Sequence, residues 1–202
     1  MQGLFGVDGP LYKACLLVYQ LIILNLLWVA GSLPVLTIGS STTALFYALD
    51  RLISNKNISG IDLGKAFWKS FRQNLKQATA AWLLLLGAVL LVLLNLENMH
   101  LLASSTLVKY LTALQLVVLA ELAVVSLYAF PLLARYQMGL FDCLRTALFI
   151  GNRHFLTTLT AFVLIFAVYR LILWNLAFAI IGAAGAAYLI AYLTKSKFAL
   201  YT

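Results

Sequence analysis

The chain has 202 residues, 64% of them hydrophobic and only 10% charged, with a formal net charge of +8. A water-soluble domain carries about 25% charged residues, so a soluble globular fold is excluded. The basic residues lie between apolar runs and form no domain apart. This excludes a nucleic-acid role and points to anionic lipid headgroups as the partner of the positive charge.

Several apolar runs approach or exceed the roughly 20 residues that span a bilayer. They are continuous and not alternating, which excludes a β-barrel. The expected fold is all-α: a polytopic transmembrane helical bundle of about six spans, in one integral membrane domain over residues 1–202. A basic amphipathic helix should lie at the membrane interface.

The first residues, Met1 to Pro10, form a short tail with Gly3, Gly6 and Gly9. Span one is expected over 11–30. It is too long for the apolar core of a cleavable signal and should remain as an anchor. Gly31-Ser32-Leu33-Pro34 reads as a turn, because Pro34 removes a backbone donor and pushes Leu33 out of the α region. Span two, over 35–49, is short and hydroxyl-rich, and a re-entrant helix is its alternative.

The next segment carries Arg51, Lys56, Lys65, Lys69, Arg72 and Lys76. Ser59-Gly60-Ile61-Asp62 has the form of a capping box that starts a helix. On that helix Leu63, Phe67, Trp68, Phe71 and Leu75 share an arc of about 140°, beside a basic arc of about 60°. The pattern predicts an interfacial helix. Phe67, Trp68 and Phe71 would sit at the acyl boundary, with Lys65, Lys69, Arg72 and Lys76 toward headgroups. The alternative is the solvated inner end of span three, and both hold if the helix bends.

Span three is expected over 77–96, followed by a loop from Glu97 to Lys109 containing His100, Ser104 and Ser105. Span four covers 110–134, with Pro131 near its end as a kink site. Arg135, Arg145 and Arg153 mark a second basic connector with a weaker apolar stripe, Leu140, Leu144, Ala147 and Leu148. Span five is expected over 155–173, Trp174-Asn175 as a hairpin, and span six over 175–194. Each basic connector thus precedes a hairpin, a coarse internal repetition. With Lys and Arg counted alone, six crossings place all the basic regions on one side, with both termini cytoplasmic.

Two groups of residues stand out as candidate intramembrane polar sites. Glu121 lies midway along span four, where an ionised carboxylate is costly and needs protonation, a partner or a polar cavity. Arg170 interrupts span five. It either snorkels to the outer interface or reaches Glu121. Thr37, Ser40, Ser41, Thr42 and Thr43 supply hydroxyls beside Gly39. They suit either a close-packed helix seam or the lining of a polyol path. His154 is expected among headgroups. Cys15 and Cys143 have no disulfide or metal-ligand spacing, and no motif of an enzyme or P-loop occurs. No cofactor, metal or catalytic residue is expected.

Leu33-Pro34-Val35-Leu36-Thr37-Ile38-Gly39-Ser40-Ser41-Thr42-Thr43-Ala44-Leu45-Phe46-Tyr47 resembles the signature of the YesL-like family of Gram-positive bacterial integral membrane proteins. Phe67 to Thr79 and Tyr128 to Tyr136 carry further likeness, and the resemblance extends over nearly the whole chain. Ser40 departs from it, since many relatives have proline there. The family is of unknown function, and its members tend to be encoded beside sugar ABC importers and glycan-degrading enzymes. The resemblance therefore implies a bacterial cell-membrane protein, non-enzymatic, acting as an accessory or regulator beside sugar ABC transporter subunits. The alternative is a small-solute transporter that uses Glu121 and the span-two hydroxyls.

Overall fold

Pro34 sets the first break. In the computed structural model, which describes residues 9–99 and 106–198, helix α1 (Pro10–Ser32) ends just before it. A single 3-10 turn over Val35–Thr37 then leads into α2 (Ile38–Ser54). The remaining helices are α3 (Gly60–Met99), α4 (Thr106–Arg135), α5 (Leu140–Arg153), α6 (Phe155–Trp174) and α7 (Ala179–Phe198). No strand occurs among the described residues. Among the described residues, five segments are long and apolar enough to cross a membrane: α1, α3, α4, α6 and residues 176–195. With α2 as the shorter sixth element, this is a helical bundle of about six spans. His100, Ser104 and Ser105 lie outside the described residues, whereas Glu97 and Asn98 belong to α3 and Thr106 to Lys109 to α4.

The shortest of these elements is the centre of the bundle. Ten of the 17 residues of α2 are buried, and α1, α3, α4 and α7 all contact it. Its approach to α3 depends on Gly39. A Cβ there would lie 2.3 Å from the carbonyl oxygen of Ala78 and 2.7 Å from Cβ of Trp82. The two helices run antiparallel, so α2 lies alongside the charged first half of α3 and begins where the apolar second half begins.

The amphipathic segment takes the alternative form, the inner end of span three: it is the first half of one unbroken 40-residue helix and not a separate surface helix. No proline or glycine falls between Lys65 and Leu86, so nothing interrupts the hydrogen-bond ladder. At 1.5 Å per residue the helix is about 60 Å long, twice the roughly 30 Å hydrocarbon core. Only its apolar half, Gln77 to Leu96, fits within the bilayer along the normal.

Its apolar arc is covered largely by protein. Leu63 and Phe67 are fully buried. Tyr19 and Ile23 of α1 sit over Gly60, and the Phe71 ring reaches Gly31. Phe67 is thus a core residue and not a lipid contact, and Phe71 is half-buried. Trp68 and Leu75 remain exposed at 41% and 37%, on the flank next to Lys65, Lys69, Arg72 and Lys76, which are exposed as well. An arc that wide presents one edge to α1 and α2 and leaves the other bare.

The second basic connector is a separate helix. α5 folds back along α4, with Cys143, Ala147, Ile150 and Gly151 buried. Leu148, expected in that stripe, is exposed. Unlike α3, the chain breaks between connector and span, at half-buried His154 (φ −108°, ψ 48°), so the two halves of the coarse repetition differ here. The last helix is tied to the first. The Asn25 amide donates to the Ala179 carbonyl at 2.9 Å, and its oxygen accepts from the Ala184 N–H at 3.1 Å. One buried side chain thereby enters the backbone ladder of α7.

Candidate functional site

The hydroxyls at the start of α2 are taken up by the seam itself. Ser41 Oγ donates to the Trp28 carbonyl at 2.8 Å, and the Trp28 indole N–H donates to Thr42 Oγ1 at 3.2 Å. Ser40 Oγ donates to the Leu75 carbonyl at 3.1 Å and lies 3.0 Å from Thr79 Oγ1. Thr37 Oγ1 lies 2.8 Å from both the Gly31 and the Pro34 carbonyls, closing the turn. Thr43 is fully buried, with no hydrogen-bond partner for its hydroxyl among the described residues. Four of these five side chains therefore bond α2 and its turn to α1 and α3. Thr42 also borders a crevice of about 400 Å³ beside α4, α6 and α7, whose other walls are almost wholly apolar.

Glu121 and Arg170 are not brought together. Glu121 is half-buried on α4, and its Oε2 accepts from the Asn152 amide of α5 at 2.9 Å. The ion pairs among the described residues are Lys65–Asp62 and Arg135–Asp50. Arg170 is exposed on α6, four residues before the helix end. The reason is geometric. α5 folds back along α4 and delivers Asn152 to Glu121 before α6 begins.

The strongest polar constellation is at the other end of α2. Arg135, the last residue of α4, donates from Nε and Nη2 to the two carboxylate oxygens of Asp50, each at 2.5 Å. Nη2 also reaches the Ala191 carbonyl of α7 at 3.3 Å. Nearby, Lys195 Nζ lies 3.3 Å from Ser54 Oγ. One bidentate pair therefore joins the C-terminal ends of α2, α4 and α7, in the fork geometry that makes Arg–carboxylate pairs strong. The side chains are only 13% and 20% exposed. In the sequence both residues read as juxtamembrane charges. The available signal was that an acid and a base close two apolar runs at the same side of the membrane.

Beside this pair opens a polar cleft of about 750 Å³ between α2, α3 and the link from α4 to α5. Side-chain amides of Gln73, Asn74, Gln77 and Gln137 face it, with Tyr47 and Tyr136 at its borders. Gln77 Nε2 donates to the Met138 carbonyl at 2.5 Å and holds the link in place. Asn74 Nδ2 bonds back to the Ser70 carbonyl and hydroxyl at 3.1 and 3.2 Å. Arg51 stacks over the Tyr47 ring, 5.3 Å from its centroid, and bonds its hydroxyl at 3.2 Å. Sequence reasoning assigned this part of α3 to lipid and missed the amides on the opposite flank. Their spacing, Gln73 to Gln77, was the available sign.

No curated protein and no solved structure matches the chain. Residues 21–96, somewhat over a third of the chain, match the model of an uncharacterised family described as "Protein of unknown function, DUF624"; this stretch contains the second half of α1, nearly all of α3 and the whole of the α2 seam.

Proposed function

We propose that the chain is a non-enzymatic, multi-pass protein of the bacterial cell membrane, with both termini cytoplasmic, that acts as an accessory or regulatory partner of a carbohydrate uptake system of the ABC type. The likeness of Leu33–Tyr47 to the YesL-like signature supports the link to sugar uptake. The observation that carries the accessory role is the use made of the α2 hydroxyls. Thr37, Ser40, Ser41 and Thr42 bond neighbouring helices and turns and line no polar path. A solute carrier built on them and Glu121 would need both to face one cavity, yet Glu121 is bonded to Asn152 at 2.9 Å, on α5. Gentle detergent extraction of the tagged chain, followed by mass spectrometry, tests the reading. Sugar ABC transporter subunits should co-purify, and deletion of the chain should slow growth on the matching sugar. Purification free of such subunits, with uptake lost only in a Glu121→Gln variant that folds normally, would instead establish the carrier.

A further inference from the structure

The groups around the polar cleft are unevenly used. Gln73 and Gln137 are exposed and have no hydrogen-bond partner among the described residues, so each offers a complete amide. Asn74 and Gln77 use only their amide nitrogens, which leaves two further acceptor oxygens. Lys69, also at the cleft, makes no ion pair among the described residues. Asp50, paired behind the cleft, has both oxygens bonded to Arg135, and the Asp142 carboxylate lies against Gly139 at the cleft's wall.

We propose that this cleft binds a polyhydroxylated small molecule of mono- to disaccharide size, held by the amides of Gln73, Asn74, Gln77 and Gln137 between Tyr47 and Tyr136.

The inventory of donors and acceptors selects that class. An amide donates through nitrogen and accepts through oxygen, and a hydroxyl does both, so a polyol satisfies both ends of every amide. Phosphate would engage the amide nitrogens and Lys69 and leave most of the amide oxygens unused. A cation would use only the amide oxygens and would meet the Lys69 ammonium in the same cleft. The volume of about 750 Å³ is that of a small-molecule site, within the common range of about 300–1,000 Å³. Tyr136 and Tyr47, which line the cleft, add apolar ring surface for the C–H groups of a sugar, one face of Tyr47 being covered by Arg51. Lys69 adds a preference for sugars that carry a carboxylate. The inference does not depend on the accessory role, because a carrier or a sensor would use the same cleft.

Calorimetric titration of the purified full chain in lipid nanodiscs tests it, with maltose, glucose, galacturonate and inorganic phosphate as probes. Saturable millimolar or tighter binding of at least one sugar is expected, with galacturonate favoured over glucose. The Gln73→Ala/Gln137→Ala double variant should bind at least tenfold more weakly. It should keep the wild-type melting temperature, since neither side chain bonds to the protein. Lys69→Ala should erase the preference for galacturonate and leave glucose unchanged. Three results would overturn the proposal: no saturable sugar binding, sugar binding unchanged in the double variant, or phosphate binding in place of sugar. None of them bears on whether transporter subunits co-purify.

Discussion

Gly39 and Asp50 bracket α2 and act by opposite means, one through the lack of a side chain and one through charge. In Gly39→Ala the new methyl meets the Ala78 carbonyl and the Trp82 Cβ, both too close and the first fixed in backbone. Overpacking of this kind costs about 1–3 kcal/mol or more, so the melting temperature should fall clearly. Gly87→Ala, where nothing lies within 4 Å of the added carbon, should instead stabilise by about 0.5–1 kcal/mol through helix propensity. Asp50→Asn leaves the Arg135 guanidinium without its counter-charge. The expected loss is about 3 kcal/mol, the low end for a buried pair, because both groups keep some water contact. Asp50→Asn/Arg135→Met should recover most of that loss, read by thermal unfolding, because the two sites are coupled. Local chemistry of this kind was legible in the sequence only where partners are neighbours. The serine half of the Ser59–Asp62 box forms, with Ser59 Oγ accepting from the Asp62 N–H at 3.2 Å, while the Asp62 carboxylate accepts from the Ser59 hydroxyl at 2.9 Å. Asn175 also closes its hairpin, accepting from the Ala177 N–H at 2.9 Å. Asp50 and Arg135 stand 85 positions apart, and no local pattern joins them.

Among the elements, the periodicity of α3 located an apolar face but not what covers it. Phe67 and Trp68 are adjacent, with rings 5.7 Å apart in an edge-to-face contact, yet one is core and the other surface. Phe67→Ala should destabilise the fold by about 3–5 kcal/mol, the cost of emptying a buried aromatic site. Trp68→Ala should leave the melting temperature nearly unchanged and reduce binding to vesicles rich in anionic lipid, since a Trp beside four basic residues is placed for headgroups. An equal loss of stability in both would mean that Trp68 is buried as well. α5 offers a chemical probe of the same kind. Burial pushes the Cys143 thiol up from 9.0 to about 12. A raised value favours the neutral thiol, so almost no thiolate exists at pH 7–9. In a Cys15→Ser chain, maleimide labelling should be absent across that range and appear only on denaturation. The span boundaries were within reach of hydropathy because they depend on composition. The back-folding of α5 onto α4 was not, because it depends on Gly151 meeting Val124 and Tyr128, a contact between distant segments.

At the scale of the molecule, long-range bonds gather the links 55–59 and 136–139 and the end of α7 at one face. Gln20 donates to the Ile58 carbonyl at 2.7 Å, Gln77 to Met138, and Lys195 meets Ser54. In a chain without native cysteines, single cysteines at Asn57 and Gln137 should therefore be labelled from the same side of the membrane, and one at Ala177 from the other. Labelling of Asn57 and Gln137 from opposite sides would overturn the six-crossing arrangement.

The clasp between Asn25 and α7 has a consequence for how such a chain is made. The ribosome delivers residue 25 long before residue 184, so a primary amide waits in or near lipid while five helices are synthesised. Until α7 arrives, neither end of that amide has its final partner. Helices α1 and α7 thus complete each other, and the bundle closes only after α7 has been made. A ribosome-bound chain stopped before Ala179 should be open to membrane proteases that the finished protein resists. Supplying residues 155–202 as a separate polypeptide should restore that resistance, and an Asn25→Leu chain should gain little from the same fragment.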